Sequence, residues 1–309
     1  MPERRRKTEV VLEDEVMRDG LQMESRLFSF EEKVRIFQLL IEAQVGRIQV
    51  GSFVHPKVLP QMADTDALIR HLSPTRSGVL ISGLILNDKG LERALSCGLS
   101  HVSMSVSASD THSRKNANRP AQEALSAMTV LISQAKKAGL KVRSGIQCAF
   151  GCVYEGTVPE EKVLAAAQAM ASAGADEVNL ADTTGMGHPR QVRSLVRKVG
   201  QDLPGVEISL HLHDTRGLGL TNMFVGYEEG VRIFDVCAGG LGGCPFVKGA
   251  AGNVPTEDAV HMFETLGVET GIDLLKMSRV VEELETLLGR PLPGRMTRVL
   301  RAKSLGDPL

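Results

Sequence analysis

Short β-branched or apolar runs recur along this chain at intervals of about 20 to 40 residues, and there are eight of them. They lie at 8–15, 46–53, 79–86, 101–107, 141–148, 177–182, 207–213 and 233–238. Helical patterns fill the gaps, at Phe30–Glu42, Asp88–Ser96, Ala121–Ala138, Pro159–Ala173, Pro189–Val199 and Leu218–Glu229. Several of these stop at a small residue just before the next run, at Ala138-Gly139, Ala173-Gly174 and Glu229-Gly230, where glycine accepts the left-handed conformation that ends a helix. Strands that alternate with helices predict a parallel sheet, and eight is the number that closes it. The expected fold is therefore α/β, a TIM (β/α)8 barrel with additional C-terminal helices. The alternative is an open doubly wound sheet, which carries a glycine-rich phosphate turn after its first strand. Val16-Met17-Arg18-Asp19-Gly20 is not such a turn.

The barrel is expected to occupy residues 1–253. Residues 254–289 read as two or three amphipathic helices that pack on the barrel end or on a partner subunit. The tail 290–309, with three Pro and five Arg or Lys, reads as loose.

Composition narrows the function classes. The net charge of −1 creates no field that favours nucleic acid or an anionic membrane. Trp is absent and aromatic residues make up 4%, which leaves little for stacking bases. No apolar run approaches the roughly 18 residues of a membrane span. The basic start, M-P-E-R-R-R-K, leads into a strand-like run rather than a signal-peptide core. Five Cys (Cys97, Cys148, Cys152, Cys237, Cys244) are an odd number for a disulfide framework. Reduced thiols in the cytoplasm are the expectation.

In a barrel of this kind the chemistry gathers at the C-terminal ends of the strands. Polar residues of the right kinds fall there: Arg18-Asp19 after strand 1, Gln49 at the end of strand 2, Asp182 at the end of strand 6, and His211, His213 and Asp214 at the end of strand 7. Alternate residues on a strand share a face, so His211-x-His213 reads as two metal ligands or as two hydrogen-bonded core histidines. Asp19 from strand 1 favours the ligand reading. Two imidazoles with oxygen donors suit Mg, Mn, Fe, Co or Zn. Arg18-Asp19-Gly20 reads as a surface turn or, from its position, as an anion-holding Arg beside a ligating Asp. The glycines between 239 and 252 suit a mobile lid better than a linker, with Cys244 either presented to the mouth or packed as a small buried hydrophobe. Cys148 and Cys152 read as packing. Arg114-Lys115-Asn116 is either a solvated loop cluster or a phosphate contact.

Assembled, these pieces resemble the 3-hydroxy-3-methylglutaryl-CoA lyases. The segments that carry the likeness are R-D-G-L-Q at 18–22, S-F-V-H-P-K at 52–57, P-Q-M-A-D at 60–64, R-K-N-A-N at 114–118 and C-A-F-G-C-V-Y-E-G at 148–156. D-T-T-G at 182–185, H-L-H-D-T at 211–215, G-L-G-G-C-P at 240–245 and G-N-V-P-T-E-D at 252–258 continue it in order. The cysteine loop is its most specific element.

The resemblance implies a divalent cation, Mg or Mn, on Asp19, His211, His213 and Asn253. It implies Arg18 at the enolate oxygen of departing acetyl-CoA and Cys244 as the proton donor to carbon. Asp182 supports the substrate or proton network, His211 or an acidic residue takes the hydroxyl proton, and Lys115 and Asn116 lie near the coenzyme A arm. The implied activity is retro-aldol cleavage of a 3-hydroxyacyl-CoA to acetyl-CoA and a 3-oxo acid, by a homodimer with no nucleic-acid or membrane partner. Two departures stand out. The family usually has Glu where this chain has Gln49, and Tyr where it has Gly145; the missing ring implies a larger or differently shaped acyl group. The alternatives are a condensing transferase, against which the cysteine loop argues, and a barrel that binds acyl-CoA without turning it over.

Overall fold

The computed structural model describes residues 8–72, 78–242 and 251–304. Eight parallel strands close into a barrel in chain order. They are β1 (Val11–Asp14), β2 (Arg47–Ser52), β3 (Leu80–Leu84), β4 (His101–Ser107), β5 (Lys141–Gln147), β6 (Glu177–Asp182), β7 (Glu207–Leu212) and β8 (Ile233–Val236). Closure is made by β1 against β8, with Glu13 opposite Asp235. Every strand falls inside one of the eight runs, so the open-sheet alternative is excluded.

The surrounding helices are α1 (Phe30–Glu42), α2 (Thr65–Leu72), α3 (Asp88–Ser96), α4 (Asp110–Ala117), α5 (Ala121–Lys137), α6 (Glu160–Ser172), α7 (Pro189–Asp202) and α8 (Gly219–Glu228). Their starts follow from local chemistry. Ser29 caps α1 by accepting from the Glu32 amide at 3.2 Å, and Glu32 returns the bond to the Ser29 amide at 2.8 Å. Asn87 caps α3 by accepting from the Gly90 amide. Three further helices follow the barrel: α9 (Thr256–Thr265), α10 (Leu274–Leu288) and α11 (Met296–Ser304).

The last of these puts Met296–Ser304, part of the tail 290–309 expected to be loose, into a helix, while 305–309 lie outside the described residues. Asp258 accepts from the backbone amides of Arg295 and Met296 at 2.9 and 2.8 Å, which satisfies two donors at the start of α11. Arg301 pairs with Glu282 and Glu285 of α10, and Thr297 is buried. Proline and basic residues suggested a solvated tail; here Pro291 and Pro293 precede the helix, Arg295 pairs with Asp214 and Asp258, and Arg301 pairs back onto α10.

The barrel interior is also not the layered aliphatic packing usual for this architecture. Arg47 pairs with Glu13 at 2.6 Å and Glu177 at 2.8 Å. Arg143 pairs with Glu13 at 2.8 Å, Glu177 at 3.1 Å, Glu15 at 3.4 Å and Asp235. All six side chains are buried. Such a lattice depends on its two cations: removing a guanidinium strands buried carboxylates, at a cost of about 3–5 kcal/mol. It forms a rigid polar floor beneath the mouth. No helix among the described residues is long and apolar enough to cross a membrane.

Candidate active site and metal centre

The site rests on that floor. After β1 the chain turns through a wide helical turn, Val16–Gly20, a form frequent at functional sites. It opens where Asp14 accepts from the Val16 amide at 2.8 Å. This turn places Arg18 and Asp19 side by side over the barrel mouth. Gly20 lies tight against it, since a Cβ there would come within 3.0 Å of Cys237 and Val16.

His211 ends β7 opposite Asp235 of β8. Its Nδ1 lies 3.0 Å from Asp235 Oδ2 and 3.5 Å from Glu15 Oε2. A carboxylate at Nδ1 fixes the proton there and turns the Nε2 lone pair outward. Nε2 meets the His213 Nε2 at 3.0 Å. Asp19 completes the group, with ligand atoms of the three residues all within 4.8 Å of one another.

Asn253 arrives from the far side. The segment around it is stitched across the ends of β7 and β8: the Asp214 amide donates to Gly252, the Val254 amide to Leu212, and the Cys237 amide to Val254. Asn253 Nδ2 donates to Asp19 Oδ2 at 2.8 Å and to the Leu241 carbonyl at 3.0 Å. Both amide protons are thus used, and Oδ1 is left buried without a partner.

These features fit a divalent cation. Two imidazole nitrogens that face each other at hydrogen-bond distance, a carboxylate and an unpartnered amide oxygen form a hard, oxygen- and nitrogen-rich donor set. The core-histidine reading of His211-x-His213 leaves that oxygen unexplained. A second group, Glu15 with His211 and Asp235, also has ligand-like spacing. Its carboxylates are already matched by Arg18 and Arg143, which makes it the support of His211.

The electrostatics agree. Burial raises the Asp19 carboxyl, but the Arg18 guanidinium and the two histidines overcome this and hold it at about 2. His213 is pushed down to about 3 by burial and by His211, so it is neutral and free to ligate. His211 is raised: its burial is outweighed by the Asp235 hydrogen bond and the Glu15 charge. Glu15 itself is raised to about 7, chiefly by burial, with Arg18 opposing.

Arg18 is gripped on every side, by Glu15, by Asp19 and, through Nε, by the Gln49 amide oxygen. Asp182 lies at the end of β6 with both oxygens engaged, accepting from the Met186 and Gly187 amides at 2.9 Å each. Burial raises it to about 6. Its visible work is to hold the loop that follows β6.

Lys115 and Asn116 lie on α4, at the rim: Lys115 sits over the Tyr154 ring at 4.9 Å, and Asn116 donates to Gln147 at 3.3 Å. Gly145 is on the inward face of β5, opposite Ser105 and Asn179. A Cβ there meets nothing closer than Ser105 at 3.4 Å. Cys244 lies outside the described residues, whereas Cys148 and Cys152 are buried and unbridged.

The structure therefore brings Arg18, Asp19, Gln49, His211, His213 and Asn253 into one constellation. It sets Lys115 and Asn116 at the periphery. Sequence reasoning did not single out Glu15 and Asp235 as site residues. The available signal was charge at every second position of strands that must be buried, as in Glu13 and Glu15 or in Asp235 of the run I-F-D-V.

Comparison with known proteins identifies the family. The HMGL-like family model matches residues 9–283. The (R)-citramalyl-CoA lyase of Chloroflexus aurantiacus is 40% identical over 92% of this chain and 92% of its own length. The crystal structure of the Bacillus subtilis HMG-CoA lyase superposes with a TM-score of 0.91 at 36% identity, covering 96% of this chain and 99% of that one. An HMG-CoA lyase from Acenitobacter baumannii, solved in complex with coenzyme A and 3-methylmalate, gives 0.88 at 35% identity over 94% of each chain.

Proposed function

The chain belongs to the HMGL-like family, and from that premise we propose that it is a metal-assisted carbon–carbon lyase that splits a 3-hydroxyacyl-CoA into acetyl-CoA and an oxo acid. The observation that carries this reading is the pair of imidazole Nε2 atoms 3.0 Å apart, flanked by Asp19 and Asn253 and adjoining Arg18.

Asp19, His211, His213 and Asn253 would hold Mg or Mn. When bound, the cation supplies a charge that acidifies the substrate's tertiary hydroxyl and fixes its geometry. The rest is done by the chain's own groups. The hydroxyl proton passes to His211 or, with its Nε2 engaged, to an acidic residue at the mouth. As the hydroxyl becomes a carbonyl, the bond between the carbinol carbon and the acyl CH2 breaks and its electron pair moves into the thioester. Arg18, unable to swing away from its three partners, meets the charge that develops on the thioester oxygen. Cys244, through the family resemblance, returns a proton to the CH2 carbon and completes acetyl-CoA. Lys115 and Asn116 receive the coenzyme A arm, and the working unit is a homodimer.

Two observations bear on the acyl group. Gly145 leaves room on the inward face of β5, where only van der Waals contacts surround a built Cβ. The relative from Chloroflexus aurantiacus is a citramalyl-CoA lyase rather than an HMG-CoA lyase. The substrate is thus a thioester whose carbinol carbon carries a group other than, or larger than, that of 3-hydroxy-3-methylglutaryl-CoA. The test is acetyl-CoA release by the purified protein with Mg or Mn from a panel of 3-hydroxyacyl-CoA thioesters. Release that needs both the cation and Cys244 is expected. A protein that binds the cation and releases nothing, or that instead condenses acetyl-CoA with an oxo acid, overturns the reading.

A further inference from the structure

Arg18 carries one positive charge and already touches two carboxylates, Glu15 and Asp19, together with the neutral amide of Gln49. All of these groups lie at the mouth with little or no exposure; Glu15 and Gln49 are buried outright. The Gln49 oxygen accepts from Arg18 Nε, which fixes the amide so that its Nε2 points away, buried and without a partner. A carboxylate at position 49 would therefore put a third negative charge on one guanidinium, in a place where water cannot screen it. Glu15 and an acid at position 49 compete for the same cation.

Glu15 does more than balance charge. Its Oε1 lies 3.4 Å from Arg143 in the barrel floor and its Oε2 lies 3.5 Å from His211 Nδ1. It thereby ties together the group that meets the thioester, the imidazole that faces the cation and the rigid floor beneath them.

We propose that Glu15 is the positioning carboxylate of this site, holding Arg18 from β1 as an acid at position 49 would hold it from β2, so that the two positions form an exchangeable pair. The kinetic half of this inference rests on the lyase reading above; the half that concerns His211 does not. Transfer of the charge from position 15 to position 49 re-anchors Arg18 but leaves His211 without its second carboxylate, so the two halves separate in experiment.

The full-length chain is compared with Glu15→Gln, Gln49→Glu and the double variant. Mn is titrated by calorimetry, and kcat and KM are measured on the thioester that the wild type cleaves best. Loss of a partner that orients a metal-facing group costs about 10- to 100-fold. Glu15→Gln is expected to lose that much in both Mn affinity and kcat, with KM little changed. Gln49→Glu alone also loses kcat. The double variant recovers at least roughly tenfold in kcat over Glu15→Gln while its Mn affinity stays low, a split that a merely structural role would not produce. A double variant whose losses equal the product of the single ones refutes the exchange. So does a Gln49→Glu protein with undiminished kcat, whether or not Glu15→Gln folds. If the wild type cleaves no thioester, the lyase reading fails by itself. The role of Glu15 is then decided by Mn affinity alone: a loss in Glu15→Gln sustains it and unchanged affinity refutes it.

Discussion

Asp235→Asn changes one oxygen into nitrogen at the point where the floor meets the candidate metal site. Asp235 Oδ2 lies 3.0 Å from His211 Nδ1, pairs with Arg143 and accepts from Asn179 at 3.4 Å. All three contacts fall on that one oxygen, and Oδ1 is buried without a partner, so in the variant the amide oxygen keeps the place of Oδ2 but has lost its charge. A neutral oxygen shared with Arg143 holds the Nδ1 proton of His211 less firmly than a carboxylate does, so the tautomer with its proton on Nε2 gains population. That proton sits where the cation would bind. Outer partners of metal-bound histidines contribute about 10- to 100-fold in affinity, or about 1.4–2.8 kcal/mol.

The fold should survive this change. The floor sets four carboxylates, Glu13, Glu15, Glu177 and Asp235, against the two guanidiniums of Arg47 and Arg143. Loss of one carboxylate moves it towards neutrality and strands no cation. Mn titration by calorimetry with a parallel thermal melt is the assay. The expected result is weaker Mn binding by at least tenfold with a melting temperature close to wild type. Mn affinity within twofold of wild type would refute the argument that Asp235 sets the His211 tautomer.

Three further outcomes are expected. Gly242 has φ +87°, and a Cβ there would lie 2.5 Å from Asn253 Nδ2 and 3.0 Å from Asp19 Oδ2; Gly242→Ala should break the Asp19–Asn253 hydrogen bond and weaken Mn binding on titration, whereas unchanged binding contradicts the placement. Burial, with help from Asp258, raises Glu257 to about 8 against 4.5 for the free group. Between those pH values the folded chain keeps a proton that the unfolded chain has released, so this group's contribution to stability falls as pH rises, by about 1.4 kcal/mol per unit. Glu257→Gln removes that slope, and its melting temperature should gain on wild type from pH 5 to pH 8; parallel curves count against the buried, protonated carboxyl. Gly145→Ala should fold normally, because its Cβ meets only ordinary contacts, and should lower turnover of bulkier thioesters more than of smaller ones; equal effects on both remove Gly145 from the acyl pocket.

Much of the fold is legible in the chain because its signals are local. The run R-I-Q-V-G-S and the capped helix Phe30–Glu42 announce themselves through periodicity and through Ser29 with Glu32. Helix α4 does not. Only His112 and Ser113 in it are buried, so it shows no apolar stripe, and its basic residues read as a loop cluster. Helix α11 is hidden for a related reason: its start is secured by Asp258, far away in sequence. The same division holds in the site. Asp19, His211 and His213 are visible through residue type and position at strand ends. Glu15 and Asp235 become meaningful only once barrel closure sets β1 beside β8 and brings Arg143 from across the barrel. The orientation of Asn253, with both its amide protons spent and its oxygen free, likewise depends on the segment stitched between β7 and β8.

Asp19, His211, His213 and Asn253 are proposed to form one cation site beside Arg18. The most direct test is a crystal of the protein soaked in Mn, with the ion located by its anomalous scattering. One strong peak is expected between the two Nε2 atoms, in contact with Asp19 and the Asn253 oxygen. A peak on the other side of His211, among Nδ1, Glu15 and Asp235, or no peak at a Mn concentration that saturates the protein in solution, would contradict it.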